Sequence, residues 1–202
     1  MKCRIPSQNR EPISNNMMKR NIRRIMAENQ MPESVINAVI TLYDFMIVQD
    51  YYGGCHAMSS ALYVALSELG FLPELCVGEC RASAGFVFDH SWITLDGHII
   101  DLAVYYPYTE QINSVSGPIV CGMDAITSKK TSTQYGISSG EDLSPDTLFV
   151  MGRDFVEYMD NFPSGRYGLW SLVMSLLNIT EPLSVNAMRL KYSGTQRKYI
   201  KS

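Results

Sequence analysis

Nowhere in the chain do about 20 apolar residues run together, the length a helix needs to span a bilayer. The longest candidate, residues 169–179, is interrupted by Ser171, Ser175 and Asn178, so it reads as a buried helix and no membrane partner is expected. The N-terminus, Met1-Lys2-Cys3-Arg4-Ile5-Pro6, lacks the apolar core of a secretory signal. The expectation is a cytoplasmic protein, or one exported by a route without a recognisable signal peptide. Cysteine is scarce and odd in number, at positions 3, 55, 76, 80 and 121, which argues against a disulfide framework. Cys76 and Cys80 would share one face of a strand. A zinc site would want tighter spacing and a second ligand pair, so they read as buried thiols, and no metal or cofactor is expected.

Basic charge is almost missing from the middle of the chain. Residues 1–30 hold seven Lys/Arg against two Asp/Glu, and residues 189–202 hold five Lys/Arg and no acid. The remainder therefore carries five basic and eighteen acidic residues. Basic termini neutralising an acidic body is one reading, and an acidic surface that attracts cationic substrates is the other. No aromatic-interleaved basic stripe accompanies the ends, so no nucleic-acid partner is expected.

What is present is a globular composition, 46% apolar and 10% aromatic in 202 residues, enough for one domain with a proper core. Residues 1–15 read as a flexible lead-in, 16–194 as one α+β domain and 195–202 as a basic tail. Apolar spacing of three and four predicts helices over 17–29 and from Pro32 to Gln49. A third runs from Cys55 until Gly70 ends it. Strand-like runs follow at 72–81, 85–95 and 97–104, with Asp96-Gly97 a hairpin signal between the last two. Residues 105–117 read as irregular, 119–123 as a short strand and 124–147 as a long surface loop, a candidate lid. Helical patterning returns at 154–161, 166–178 and 185–191, and there is no internal repeat. Segregated helices and strands argue for an antiparallel sheet packed against the Cys55 helix, with additional helices at both ends.

Cys55, His90 and Asp101 carry the chemistry. Cys55 follows Gly53-Gly54 at a helix start, where the positive helix end favours a thiolate. His90 and Asp101 lie on consecutive strands, six and four residues from the turn. In that arrangement Cys55 attacks a carbonyl carbon, His90 serves as base and then acid, and Asp101 holds the ring tautomer. The backbone N–H of Cys55 is one oxyanion donor, and Gln49, Tyr51 and Tyr52 are alternative side-chain donors. Gly54 leaves room above the sulfur. His56 is a rival base, but its place next to Cys55 turns it about 100° away. His98 is expected at the surface. Trp92 shares the face of His90, as a shield or as core.

The segments Gly53-Gly54-Cys55-His56-Ala57-Met58, His90-Ser91-Trp92-Ile93 and Asp96-Gly97-His98-Ile99-Ile100-Asp101 resemble the transglutaminase-like superfamily over about fifty residues. Its pattern is Gly-x-Cys opening a helix, His-x-Trp on one strand and Asp on the next. The resemblance implies a papain-like α+β core with Cys55 as nucleophile, His90 as base and Asp101 as orienter. Gln49 stands at the spacing where papain-like proteases keep their oxyanion glutamine. Thr94 occupies a place where Glu is common in the family, and no calcium-site sequence or flanking β-sandwich accompanies the core. The expected function is a thiol-dependent amide-bond enzyme, a peptidase, amidase or glutamine deamidase acting on a peptide or protein through a thioester. The alternatives are a non-catalytic binding or scaffold protein, and an acyltransferase of transglutaminase or arylamine-acetyltransferase type.

Overall fold

A computed structural model describes residues 14–105, 116–163, 165–179 and 183–202. Residues 1–13 of the expected lead-in and 106–115 of the expected irregular segment lie outside the described residues. Three helices come first: α1 (Asn15–Glu28), α2 (Glu33–Gln49) and α3 (Cys55–Glu68). Ser14 caps α1 by accepting from the Met17 N–H, so the helix begins two residues earlier than apolar spacing predicts. Its buried residues, Met18, Ile22, Ile25 and Met26, are the four that the spacing selects.

Then come β1 (Glu74–Arg81), β2 (Val87–Leu95) and β3 (His98–Asp101), all antiparallel neighbours. Asp96 and Gly97 both take positive φ, 50° and 78°, as the two-residue hairpin turn requires. A single 3₁₀ turn, Ala103–Tyr105, follows.

The segment expected as one strand and a long loop is instead a run of short strands. These are β4 (Ile119–Val120), β5 (Met123–Asp124), β6 (Lys129–Lys130) and β7 (Gln134–Ile137). Cys121 and Gly122 have φ of 53° and 70°, so 119–123 is a tight hairpin between β4 and β5. Ser, Thr and Lys hide these strands because each is only two to four residues long and side-chain alternation has no length over which to show.

The C-terminal part holds α4 (Pro145–Gly152), α5 (Phe155–Asn161), α6 (Leu169–Leu177), α7 (Leu183–Lys191) and β8 (Lys198–Tyr199). Ser144 caps α4 with Pro145 in its first turn, a start signal that sits inside the expected loop.

The sheet runs β6-β5-β4-β3-β2-β1-β7, and β8 adds to β1 in parallel. The fold is thus α+β with a mainly antiparallel, curled sheet. The outer edge of β1 is shared: Cys80 and Arg81 pair with β7, while Cys76 and Val77 pair with β8. One sheet face presents Leu75, Ile93 and Leu95 to the helices, whose contribution includes Leu42, Leu62 and Trp170. The other face encloses a smaller cluster of Cys76, Cys80 and Trp92, against which Tyr135 and Ile200 pack.

Residues 195–202, expected as a tail, are built into the sheet. Ile200 N–H donates to the Val77 carbonyl and Ser202 N–H to the Gly136 carbonyl. The match depends on two glycines, because a Cβ at Gly78 would run into the Ile200 carbonyl and one at Gly136 into the Ile200 side chain. Gly78→Ala is therefore expected to dislodge β8 at a cost of about 1–3 kcal/mol. Urea unfolding would read the loss, and limited proteolysis would place it after residue 194; an unchanged midpoint with an intact C-terminal segment would contradict it.

Candidate active site

Cys55 stands at the first position of α3, and the chain reaches it through a forced turn. Asp50 leaves α2 in the left-handed region, φ 51°, and Gly53 repeats it at 69°. Gly54 is the N-cap and brings no side-chain hydrogen bond. It is glycine for a steric reason, since the Tyr51 ring occupies the space a Cβ would need. The first N–H groups of α3 consequently have no capping side chain, and the positive helix end is presented beside the Cys55 sulfur.

β2 and β3 deliver the other two groups. His90 Nε2 donates to Asp101 Oδ2 at 2.8 Å, and both residues are buried, at 5% and 3% exposure. Asp101 accepts two further bonds. The Tyr135 hydroxyl donates to Oδ2 at 2.7 Å and the Val104 N–H to Oδ1 at 3.1 Å. With Nε2 committed to Asp101, the other ring nitrogen is left for Cys55, whose charge acts on the imidazole. Burial by itself would strip the proton from His90. The charges of Asp101 and then Cys55, with the hydrogen bond to Asp101, outweigh burial and lift His90 to about 10. Burial, and then Asp101, push the Tyr135 phenol well above its usual range, so it remains a donor near neutral pH.

Cys55 and His90 open into a cavity of about 670 Å³. Gly53, Val87, Phe88, Ala103 and Val104 supply apolar or backbone lining, and Thr147 of α4 forms part of another wall. His56 also lines it, fixed from two sides. Its Nδ1 lies 2.6 Å from Ser91 Oγ and its Nε2 3.5 Å from Thr147 Oγ1. Burial, then the charges of His90 and Arg197, lower His56 to about 4, so it is neutral at pH 7. The Ser144 N–H donates to the Asp89 carboxylate. His56 and Asp89 thus tie α4 to α3 and β2, and α4 is a wall of the cleft where the sequence suggested a loop.

The structure brings Cys55, His90 and Asp101 together. It does not bring Gln49 to them. Gln49 ends α2, is exposed, and lines a separate cavity with Phe45, Tyr51, Pro163 and Ser171. The six-residue spacing fails because the left-handed turn at Asp50 redirects the chain. Tyr51 packs against Phe162, ring centroids 5.8 Å apart, and lines the same second cavity. Tyr52 is half exposed and is not among the residues lining the cleft. The backbone N–H of Cys55, at the start of α3, is the oxyanion candidate that comes from the nucleophile's own residue. Trp92 is core, 5.0 Å from the Tyr135 ring. Cys76 and Cys80 are buried beside it, and burial raises both thiols. His98 is half-buried where exposure was expected. Among the described residues, no three His, Cys, Asp or Glu side chains gather as a metal-binding group, and no helix is long and apolar enough to cross a membrane.

Tyr135 is the residue that the sequence reading misses. Its strand alternates over Gln134-Tyr135-Gly136-Ile137, but it is only four residues long and the surroundings are polar. No protein-family model matches the chain, and no curated protein or solved structure shows significant similarity to it.

Proposed function

We propose that the protein is a thiol-dependent amide hydrolase in which Cys55 is the nucleophile, His90 the acid and base, and Asp101 the orienter, with Tyr135 fixing Asp101. The observation that carries this reading is the buried His90, hydrogen-bonded to Asp101 and sharing a cleft with Cys55, which stands at an uncapped helix start and whose charge acts on the imidazole. The same residues support a papain-like arrangement of the transglutaminase-like kind.

An imidazolium beside a thiol at a positive helix end favours the thiolate. In the first half-reaction the Cys55 sulfur adds to the amide carbon and the Cys55 backbone N–H receives the developing oxyanion. The C–N bond then breaks as His90 gives its proton to the leaving nitrogen, leaving an acyl thioester and a neutral imidazole. In the second, His90 takes a proton from water as its oxygen adds to the thioester carbon. The C–S bond breaks, the carboxylic acid departs, and the ion pair re-forms. Asp101 keeps Nε2–H directed at itself, so that the opposite nitrogen serves both steps.

The test is the pH dependence of Cys55 alkylation by iodoacetamide, read site by site by mass spectrometry. At pH 6 Cys55 is expected to be labelled selectively over the other thiols of the chain. His90→Ala should abolish that selectivity. Labelling of Cys55 no faster than that of Cys3, with no effect of the His90 change, would defeat the reading.

A further inference from the structure

The cleft that holds Cys55 and His90 is lined by five carboxylates, Glu79, Asp89, Glu141, Asp142 and Asp146, and by no Lys or Arg among the described residues. They come from β1, β2, the segment leading into α4 and the first turn of α4 itself, so separate parts of the chain bring negative charge to one cavity. Glu79 is the most committed of them, since Ser139 bonds it through both backbone and hydroxyl, and Lys201 and Arg81 act on it. The remaining four form no ion pair within the described chain. Three of the four, Glu141, Asp142 and Asp146, are exposed. Arg197, a further cation near the cleft, is enclosed against Tyr158 and Phe155 at 4.7 and 5.4 Å.

We propose that this cleft selects its acyl substrate by positive charge, taking a basic peptide segment with Lys or Arg close to the reacting amide. The proposal rests on the reading of Cys55 and His90 as an amide-bond site. Like charges that converge on a cleft with low-dielectric walls repel one another and focus an attractive field on cations. The apolar residues Val87, Phe88 and Val104 in the same cavity suit the aliphatic stems of Lys and Arg, leaving their charged ends to the carboxylates. A cavity of about 670 Å³ has room for several residues. A peptide fits better than a free polyamine, because the first step at Cys55 needs a carbonyl carbon and a polyamine has none.

The experiment measures how peptides protect Cys55 from iodoacetamide in the full chain. The probes are Ac-Lys-Lys-Ala-Gln-Ala-Lys-Lys-NH2, the same sequence with Glu for Lys, and spermine. At low salt the Lys peptide is expected to protect at about tenfold lower concentration than the Glu peptide. Half-molar salt should shrink that ratio, as should the combined change Glu141→Gln, Asp142→Asn and Asp146→Asn, all at exposed positions. Equal protection by both peptides, with Cys55 still selectively labelled in their absence, would overturn the proposal and leave the amide-bond reading standing. Spermine protecting better than the Lys peptide would also overturn it, assigning the charge to a free polyamine. Loss of selective Cys55 labelling without any peptide would sink the amide-bond reading and this proposal together.

Discussion

Asp101→Ala is expected to cost about 3–5 kcal/mol of stability, because it removes one partner of a buried ion pair, and to silence Cys55 as well. Three donors converge on this carboxylate: His90 Nε2, the Tyr135 hydroxyl and the Val104 N–H. Without it all three are left in a space from which water is largely excluded, and each unsatisfied group is costly. His90 also loses the main attraction that offsets its burial, so the ring becomes neutral at pH 7 and no longer supports a thiolate. Urea unfolding and Cys55 alkylation at pH 6 should therefore fall together. Asp101→Asn separates the two roles. An amide oxygen placed toward His90 and Tyr135 turns its NH2 against the Val104 N–H, donor facing donor. The cost should be about 1–3 kcal/mol, with the His90 bond kept. A stability for Asp101→Ala within 1 kcal/mol of wild type would show that Asp101 does not hold this network.

The meeting of Cys55, His90 and Asp101 is legible because each of them rides on a long or strongly signalled element. Gly54 before a fourteen-residue helix exposes Cys55, and Asp96-Gly97 fixes the hairpin that brings Asp101 to His90. Local signals end there. Tyr135 reaches Asp101 across 34 residues of sequence, through a strand of four residues whose pairing to β1 follows a register shift at Glu79/Cys80. The C-terminal strand is similarly hidden, since Lys198 and Tyr199 look like a polar tail until Gly78 and Gly136 make room for Ile200. Gln49 shows the opposite error. Its spacing from Cys55 fits a known pattern, yet spacing carries no direction, and a left-handed residue at Asp50 sends it to another cavity. The helical step turns His56 away from Cys55. The turn is real, and it carries the ring onto Ser91 and Thr147, which makes it a brace for the cleft.

That brace predicts how the protein responds to acid. Burial, His90 and Arg197 hold His56 at about 4, whereas an unfolded histidine titrates near 6.5. Between those values the unfolded chain binds a proton that the folded chain refuses, so stability drops as pH falls. The loss attributable to His56 should reach about 3 kcal/mol by pH 4 and vanish above about pH 7. His90 acts in the opposite sense. Its proton is held up to about 10, so its contribution is full below about 6.5 and is lost as pH rises toward 10. Carboxylates add their own acid limb, and a variant isolates the histidine from them. His56→Gln keeps a neutral hydrogen-bonding side chain beside Ser91 but cannot titrate. The difference in unfolding free energy between pH 7 and pH 4.5 should accordingly shrink by about 2–3 kcal/mol relative to wild type. Because Thr147 of α4 closes one side of the enclosure that disfavours a charged His56, hydrogen exchange at mildly acidic pH should accelerate first in α4. An unchanged pH slope in the variant would mean that His56 titrates as an ordinary histidine, and that α4 is held over the cleft by Asp89 and packing alone.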